Sequence, residues 1–180
     1  MIKAVLALAL AVLPSMALAQ SHQPYVGMEQ RPVKALSEQQ VADLKAGRGM
    51  GLALAAELNG YPGPSHVLEN ASALALSAEQ RDRTKALFEA MKAEAVPVGE
   101  RLIEQETKLD GLFAKREITP ASLIATTEEI GATQARLRAT HLKYHLAMME
   151  VLTPVQIERY QALRGYGAKG DSSRHHPRHP

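Results

Sequence analysis

The sequence predicts an all-α protein of about four helices, dominated by one long antiparallel helical hairpin. Three observations predict this. Period-two alternation is absent, and the good helix formers Ala, Leu, Glu, Gln, Lys and Arg dominate. Two long stretches, 77–113 and 120–151, repeat apolar residues at three- and four-residue spacing. Five residues, Lys115 to Thr119, separate them and form the hairpin tip.

The chain opens with the features of a secretory signal. Lys3 is the positive n-region, Ala4 to Leu13 the apolar h-region, and Ala17-Leu18-Ala19 a small-x-small cleavage site before Gln20. Residues 1–19 are therefore expected to be removed, leaving a soluble exported protein that starts at Gln20. The apolar run is too short for a bilayer, which needs about 20 residues; an uncleaved amino-terminal anchor is the alternative. The chain has no cysteine, so there is no lipoprotein anchor, no disulfide framework and no thiolate for a metal.

Residues 20–35 carry Pro24, Gly27 and Pro32 and read as a flexible lead-in. Leu36-Ser37-Glu38-Gln39-Gln40 then starts a first helix. Ser37 can cap it, Gln40 can reach back to the cap, and Leu36 can staple onto Val41. This helix is expected to run from Glu38 to Leu58, weakened or bent by Gly47, Gly49 and Gly51, unless those glycines admit another backbone. Asn59-Gly60 stops it and Tyr61-Pro62-Gly63-Pro64 turns the chain into a short helix over 65–73.

Leu76-Ser77-Ala78-Glu79-Gln80 is a second start signal. The helix it opens carries an apolar face of Leu87, Met91, Ala95, Val98, Leu102, Leu109 and Leu112. Pro97 lies inside it and is expected to kink rather than end it, because the face resumes in phase. Thr119 caps the returning arm and Pro120 takes its first position. The returning seam is Leu123, Thr127, Ile130, Gln134, Leu137, His141, His145 and Met148. Leu152-Thr153-Pro154-Val155-Gln156 starts a last helix that ends at Gly165. Residues 167–180 form a His-rich tail expected to be disordered.

Three copies of Leu-[Ser/Thr]-x-x-Gln at helix starts, in an exported, cysteine-free helical chain, resemble the Spy/CpxP family, named for its Leu-Thr-x-x-Gln repeats. Leu152 to Gln156 matches best; Leu36 to Gln40 and Leu76 to Gln80 have Ser in place of Thr. The resemblance spans 36–166 as one helical domain. It implies a cradle-like fold and a periplasmic setting. Family members are ATP-independent chaperones that form cradle-shaped dimers, inhibitors of stress signalling, or heavy-metal sensors and zinc-responsive chaperones. The resemblance thus implies a homodimer whose partners are unfolded or misfolded periplasmic proteins, or a membrane signalling partner. The mature chain departs from the basic chaperone members in being nearly neutral: without Lys3 its formal charge falls from +2 to +1. A charge-steered encounter with clients is not expected from it.

His141 and His145 stand four residues apart on the returning seam, so they project from one helical face. They are either two semi-buried histidines satisfied by a glutamate or a carbonyl, or a metal pair. The hairpin register sets them opposite Phe88 to Lys92, with His66 and Glu69, at i and i+3, nearby. His66, Glu69, His141 and His145 would offer three imidazoles and a carboxylate, a set suited to Zn²⁺, Ni²⁺, Co²⁺ or Cu²⁺. Met148 and Met149 could add a soft ligand for copper, though methionines at this spacing usually fill cores. His175, His176 and His179 are a second cluster, either weak metal ligands or a solvated tail.

Other function classes fit poorly. No Trp, 4% aromatics and no basic stripe argue against nucleic-acid binding. No nucleophile elbow surrounds any serine, and Gly47-Arg48-Gly49-Met50-Gly51 has the wrong context for a phosphate loop. The Glu-x-x-His order of di-iron bundles is reversed at His66 and Glu69. Glu100, Glu104 and Glu106 read as a solvated face. No enzymatic activity and no obligatory cofactor are expected.

Overall fold

The computed structural model describes residues 25–166; the signal segment and the His-rich tail lie outside the described residues. Among these residues there are six α-helices and no strand: α1 (Glu38–Lys45), α2 (Leu54–Glu57), α3 (Pro64–Glu69), α4 (Ala78–Ala114), α5 (Pro120–Met148) and α6 (Pro154–Leu163). The all-α class and the hairpin, α4 against α5, are as the sequence requires. At 1.5 Å per residue the 37 residues of α4 extend about 55 Å. Pro97 does not end α4.

One expectation is overturned. The helix expected over 38–58 stops at Lys45, and only Leu54–Glu57 recovers helical form. Gly47 and Gly51 take φ of +66° and +79°, and Met50 a φ of +44°, which no right-handed helix accommodates. The glycines do admit another backbone. A side chain at Gly47 would press on Val96 and Lys92 of α4. Gly99 of α4 lies so close to α1 that an added Cβ would stand 2.6 Å from the Leu44 carbonyl oxygen.

Two apolar clusters hold the fold. Along the hairpin, Leu44, Ala95, Leu102, Ile130 and Leu137 pack together. At its base, Val67, Ala71, Leu74, Leu76, Met148, Val151, Leu152 and Tyr160 join α3, α5 and α6. Met148 is thus a core residue, as methionines at helical spacing usually are. Ahead of α1, Val33 is buried and Lys34 pairs with Asp110 near the hairpin tip at 3.0 Å.

All three Leu-[Ser/Thr]-x-x-Gln copies form complete capping boxes, on Ser37/Gln40, Ser77/Gln80 and Thr153/Gln156. The last two do more. Gln80 Nε2 donates to Gln156 Oε1 at 2.8 Å, and Gln156 Nε2 donates back to Gln80 Oε1 at 2.9 Å. Gln80 also donates to the carbonyl of Val151, and Gln156 to that of Leu74, the chain just ahead of each other's helix. The motif therefore couples the starts of α4 and α6, 76 residues apart, through one closed amide pair. We expect Gln80→Ala and Gln156→Ala each to cost about 1–3 kcal/mol by stranding part-buried polar groups. The double variant should cost less than the sum, with a coupling of about 1 kcal/mol or more in urea unfolding. Strict additivity would show the pair to be incidental.

Candidate metal centre

A cavity of about 590 Å³ opens between the segment 46–66, the facing part of the hairpin and the end of α6. The four residues singled out from sequence, His66, Glu69, His141 and His145, all line it. Along α5, its residues His141 and His145 stand between Leu137 of one apolar cluster and Met148 of the other.

His145 is buried on α5, and its Nδ1–H donates to the carbonyl of Tyr61 at 2.7 Å. Whenever the ring is neutral, that bond leaves its lone pair on Nε2. An added Cβ at Gly63 would lie 2.9 Å from this nitrogen, so glycine alone leaves it uncovered. His141 is also buried, and its Nε2 has no hydrogen-bond partner. Burial and the neighbouring His145 charge both hold the His141 ring below the ordinary histidine range. A neutral ring with an unused nitrogen is the form that binds metal.

The centre of the site is a residue the sequence did not single out, Glu57 at the end of α2. Its side chain is 5% exposed. Oε1 accepts from the Tyr160 hydroxyl at 2.5 Å and from Arg164 Nε at 3.3 Å, and lies 3.4 Å from His66 Nδ1. Oε2 is buried without a hydrogen bond, 3.8 Å from His145 Nδ1. Burial pushes this carboxyl up, but the hydrogen bonds from His66 and Tyr160 and the charges of His66 and His145 outweigh it, holding it down to about 2. His66 and His145 therefore meet on Glu57. Glu69 does not join them: it is exposed, and its carboxylate accepts from Ser65 at 3.1 Å within α3.

The arrangement bears on both sequence readings of the histidine pair. His145 Nδ1 is satisfied by a carbonyl, whereas His141 Nε2 has no hydrogen-bond partner. Among the described residues no three His, Asp or Glu side chains stand close enough to hold one ion as placed. Two orphaned buried donors, Glu57 Oε2 and His141 Nε2, nonetheless line one cavity with His145 and His66. Nitrogen and carboxylate oxygen without thiolate fit a borderline divalent ion. Met148 is absent from the cavity wall, whereas Met50 and Met91 line it.

No helix among the described residues is long and apolar enough to cross a membrane. No curated protein matches the chain, and no solved structure does. The model of one family, described as heavy-metal resistance, matches residues 49–159, which include α2 to most of α6 and every residue of the site except Tyr160, Arg164 and the cavity residues 46–48 and Tyr166. With its capping-box repeats, all-helical hairpin and this match, the chain belongs to the heavy-metal resistance family, of Spy/CpxP-like type.

Proposed function

We propose that this protein is a non-enzymatic periplasmic protein that binds a divalent transition metal in the cavity around Glu57. The observation that carries the reading is the pair of orphaned buried donors, Glu57 Oε2 and His141 Nε2, lining one cavity with two further imidazoles. His66, His141 and His145 would supply nitrogen, and Glu57 a single oxygen; Glu69, at the exposed edge, would serve at most from outside. Zn²⁺, Ni²⁺, Co²⁺ and Cu²⁺ are the ions such donors take. When bound, the metal supplies only a positive charge and directional bonds. The residues it would join come from α2, α3 and α5, so occupancy biases how the 46–66 segment sits on the hairpin. That bias is what a membrane signalling partner would read, because a ligand shifts packing only by binding one arrangement better.

Calorimetric titration of the four ions into the protein and into His141→Ala/His145→Ala tests the reading. One ion per chain is expected for the parent, with affinity falling at least a hundredfold in the variant. At a hundredfold excess over Kd the ion should stabilise the parent by about 2.7 kcal/mol. Equal affinity in both proteins would remove the pair from the site.

A second reading rests on a different observation. Phe113, Leu123 and Ile124 are 54%, 38% and 59% exposed around the hairpin tip. Such a patch suits holding unfolded periplasmic proteins without ATP. Aggregation of a denatured client in a few-fold molar excess of this protein decides it, and an unchanged aggregation rate would sink it.

A further inference from the structure

Met148 fills the basal apolar cluster, whereas Met50 and Met91 line the cavity. Met91, on α4, is 7% exposed, yet it packs in neither apolar cluster. Met50 stands in the glycine-rich turn at φ +44°, in the left-handed region that a residue with a Cβ rarely adopts. Glycine takes that conformation without strain, and glycines stand around it at 47, 49 and 51. A strained backbone that carries a cavity-lining side chain points to a use for that side chain. The turn also lies against His141: a Cβ added at Gly49 would stand 3.7 Å from His141 Nδ1.

The thioethers answer a deficit of the cavity. Among the described residues its imidazole and carboxylate groups do not converge in threes. Glu57 Oε1 is engaged by Tyr160 and Arg164, and His145 Nδ1 by the Tyr61 carbonyl. His141 Nε2, on a side chain 2% exposed, is free of any such bond. A soft monovalent ion is held by few donors, and it prefers thioether and neutral imidazole to carboxylate. With no cysteine in the chain, methionine is its only sulfur. Arg48, Lys92 and Arg164 also line the cavity, and they repel a monovalent ion less than a divalent one.

We infer that this cavity also takes a soft monovalent cation, Cu⁺ or Ag⁺, through His141 Nε2 and the thioether sulfurs of Met50 and Met91. The inference rests on the metal-binding reading above for its use of His141 as a ligand. Sulfur then selects a second class of ion, and the Glu57 cluster stays as it is.

The test uses Ag⁺ as a probe that needs no reductant, in buffer free of thiol and chloride, with Ni²⁺ titrated in parallel. The full chain is compared with Met50→Leu/Met91→Leu, which keeps side-chain volume, and with His141→Ala/His145→Ala. Ag⁺ should bind at least tenfold more weakly to both variants than to the parent, while Ni²⁺ keeps its parent affinity in the methionine variant. Equal Ag⁺ affinity in parent and methionine variant would overturn the inference and leave the divalent reading standing. So would a parallel loss of Ag⁺ and Ni²⁺ in that variant, which would make the methionines wall rather than ligand. Parent-like binding of both ions by the His141/His145 variant would overturn both readings. Methyl-¹³C labelling of methionine reads the ligands in the parent itself. The Met50 and Met91 methyl resonances should shift with Ag⁺, and the Met148 resonance should stay. Unmoved Met50 and Met91 resonances would overturn the inference whatever the affinities.

Discussion

Glu57→Ala is expected to lower the stability of the metal-free protein by about 3–5 kcal/mol, the largest loss from any single side chain in the site. The carboxylate is buried, and three neighbours, one on α3 and two at the end of α6, depend on it. The Tyr160 hydroxyl, on a side chain with no exposure, loses its acceptor, and Arg164 and His66 lose the opposite charge. Uncompensated polar groups in a closed interior cost more than the bonds that satisfied them were worth. Thermal unfolding followed by circular dichroism in chelator should show a fall of roughly 10 °C or more. A loss below about 1 kcal/mol would mean that the cluster is not a keystone of the base.

The same carboxylate sets an acid limit. Its folded value, about 2, lies below the ordinary 4.5, so its contribution is complete above about pH 4.5 and is lost as pH falls toward 2. The groups facing it are His66 from α3, His145 from α5, and Tyr160 and Arg164 from α6. The contribution is of order 3 kcal/mol. Glu57→Gln, which keeps an acceptor for Tyr160 but cannot titrate, should flatten the stability curve across that window. An unchanged acid transition would assign it to other carboxylates.

Gly99→Ala should destabilise by about 1–3 kcal/mol despite the better helix propensity of alanine. The new Cβ would stand 2.6 Å from the Leu44 carbonyl oxygen and 3.1 Å from its carbon. Both are main-chain atoms, so relief requires α1 to move off α4 as a unit. The control lies twelve residues along the same helix. Gly111 has nothing within 4 Å of an added Cβ, and Gly111→Ala should stabilise by up to about 1 kcal/mol. Opposite signs for one substitution in one helix, measured by urea unfolding, would establish the close approach. Stabilisation at both positions would refute it.

The hairpin and its caps were legible because they are local. A capping box needs residues three apart, and a helical face needs only period, so 77–114 and 120–148 emerge within a few residues of their ends. The returning seam was legible in its lower half only. Ile130, Leu137, His141, His145 and Met148 are buried as expected, and Thr140 and Tyr144 join them on the side facing α4, where the Tyr144 hydroxyl donates to Glu94 at 2.7 Å. Toward the tip α5 has little beside α4 to bury it, and Leu123, Thr127 and Gln134 are exposed. The glycine-rich break after Lys45 was readable as weakness but not as a turn, since left-handed φ at Gly47, Met50 and Gly51 follows from how α1 seats on α4. Glu57 was missed because a glutamate among alanines and leucines suits a helix surface. One signal was available: it is the only Asp, Glu, Lys or Arg between Arg48 and Glu69. A single charge in so long an apolar stretch calls for a buried partner, and Glu57 has several.

In the proposed function, the cavity around Glu57 holds a divalent ion through imidazole nitrogen. X-ray absorption on nickel-loaded protein measures this at the metal. The expected spectrum shows a first shell of nitrogen and oxygen, with the outer-shell scattering of at least two imidazoles that weakens in His141→Ala/His145→Ala. The spectrum of a hydrated ion, or one unchanged by that double substitution, would contradict it.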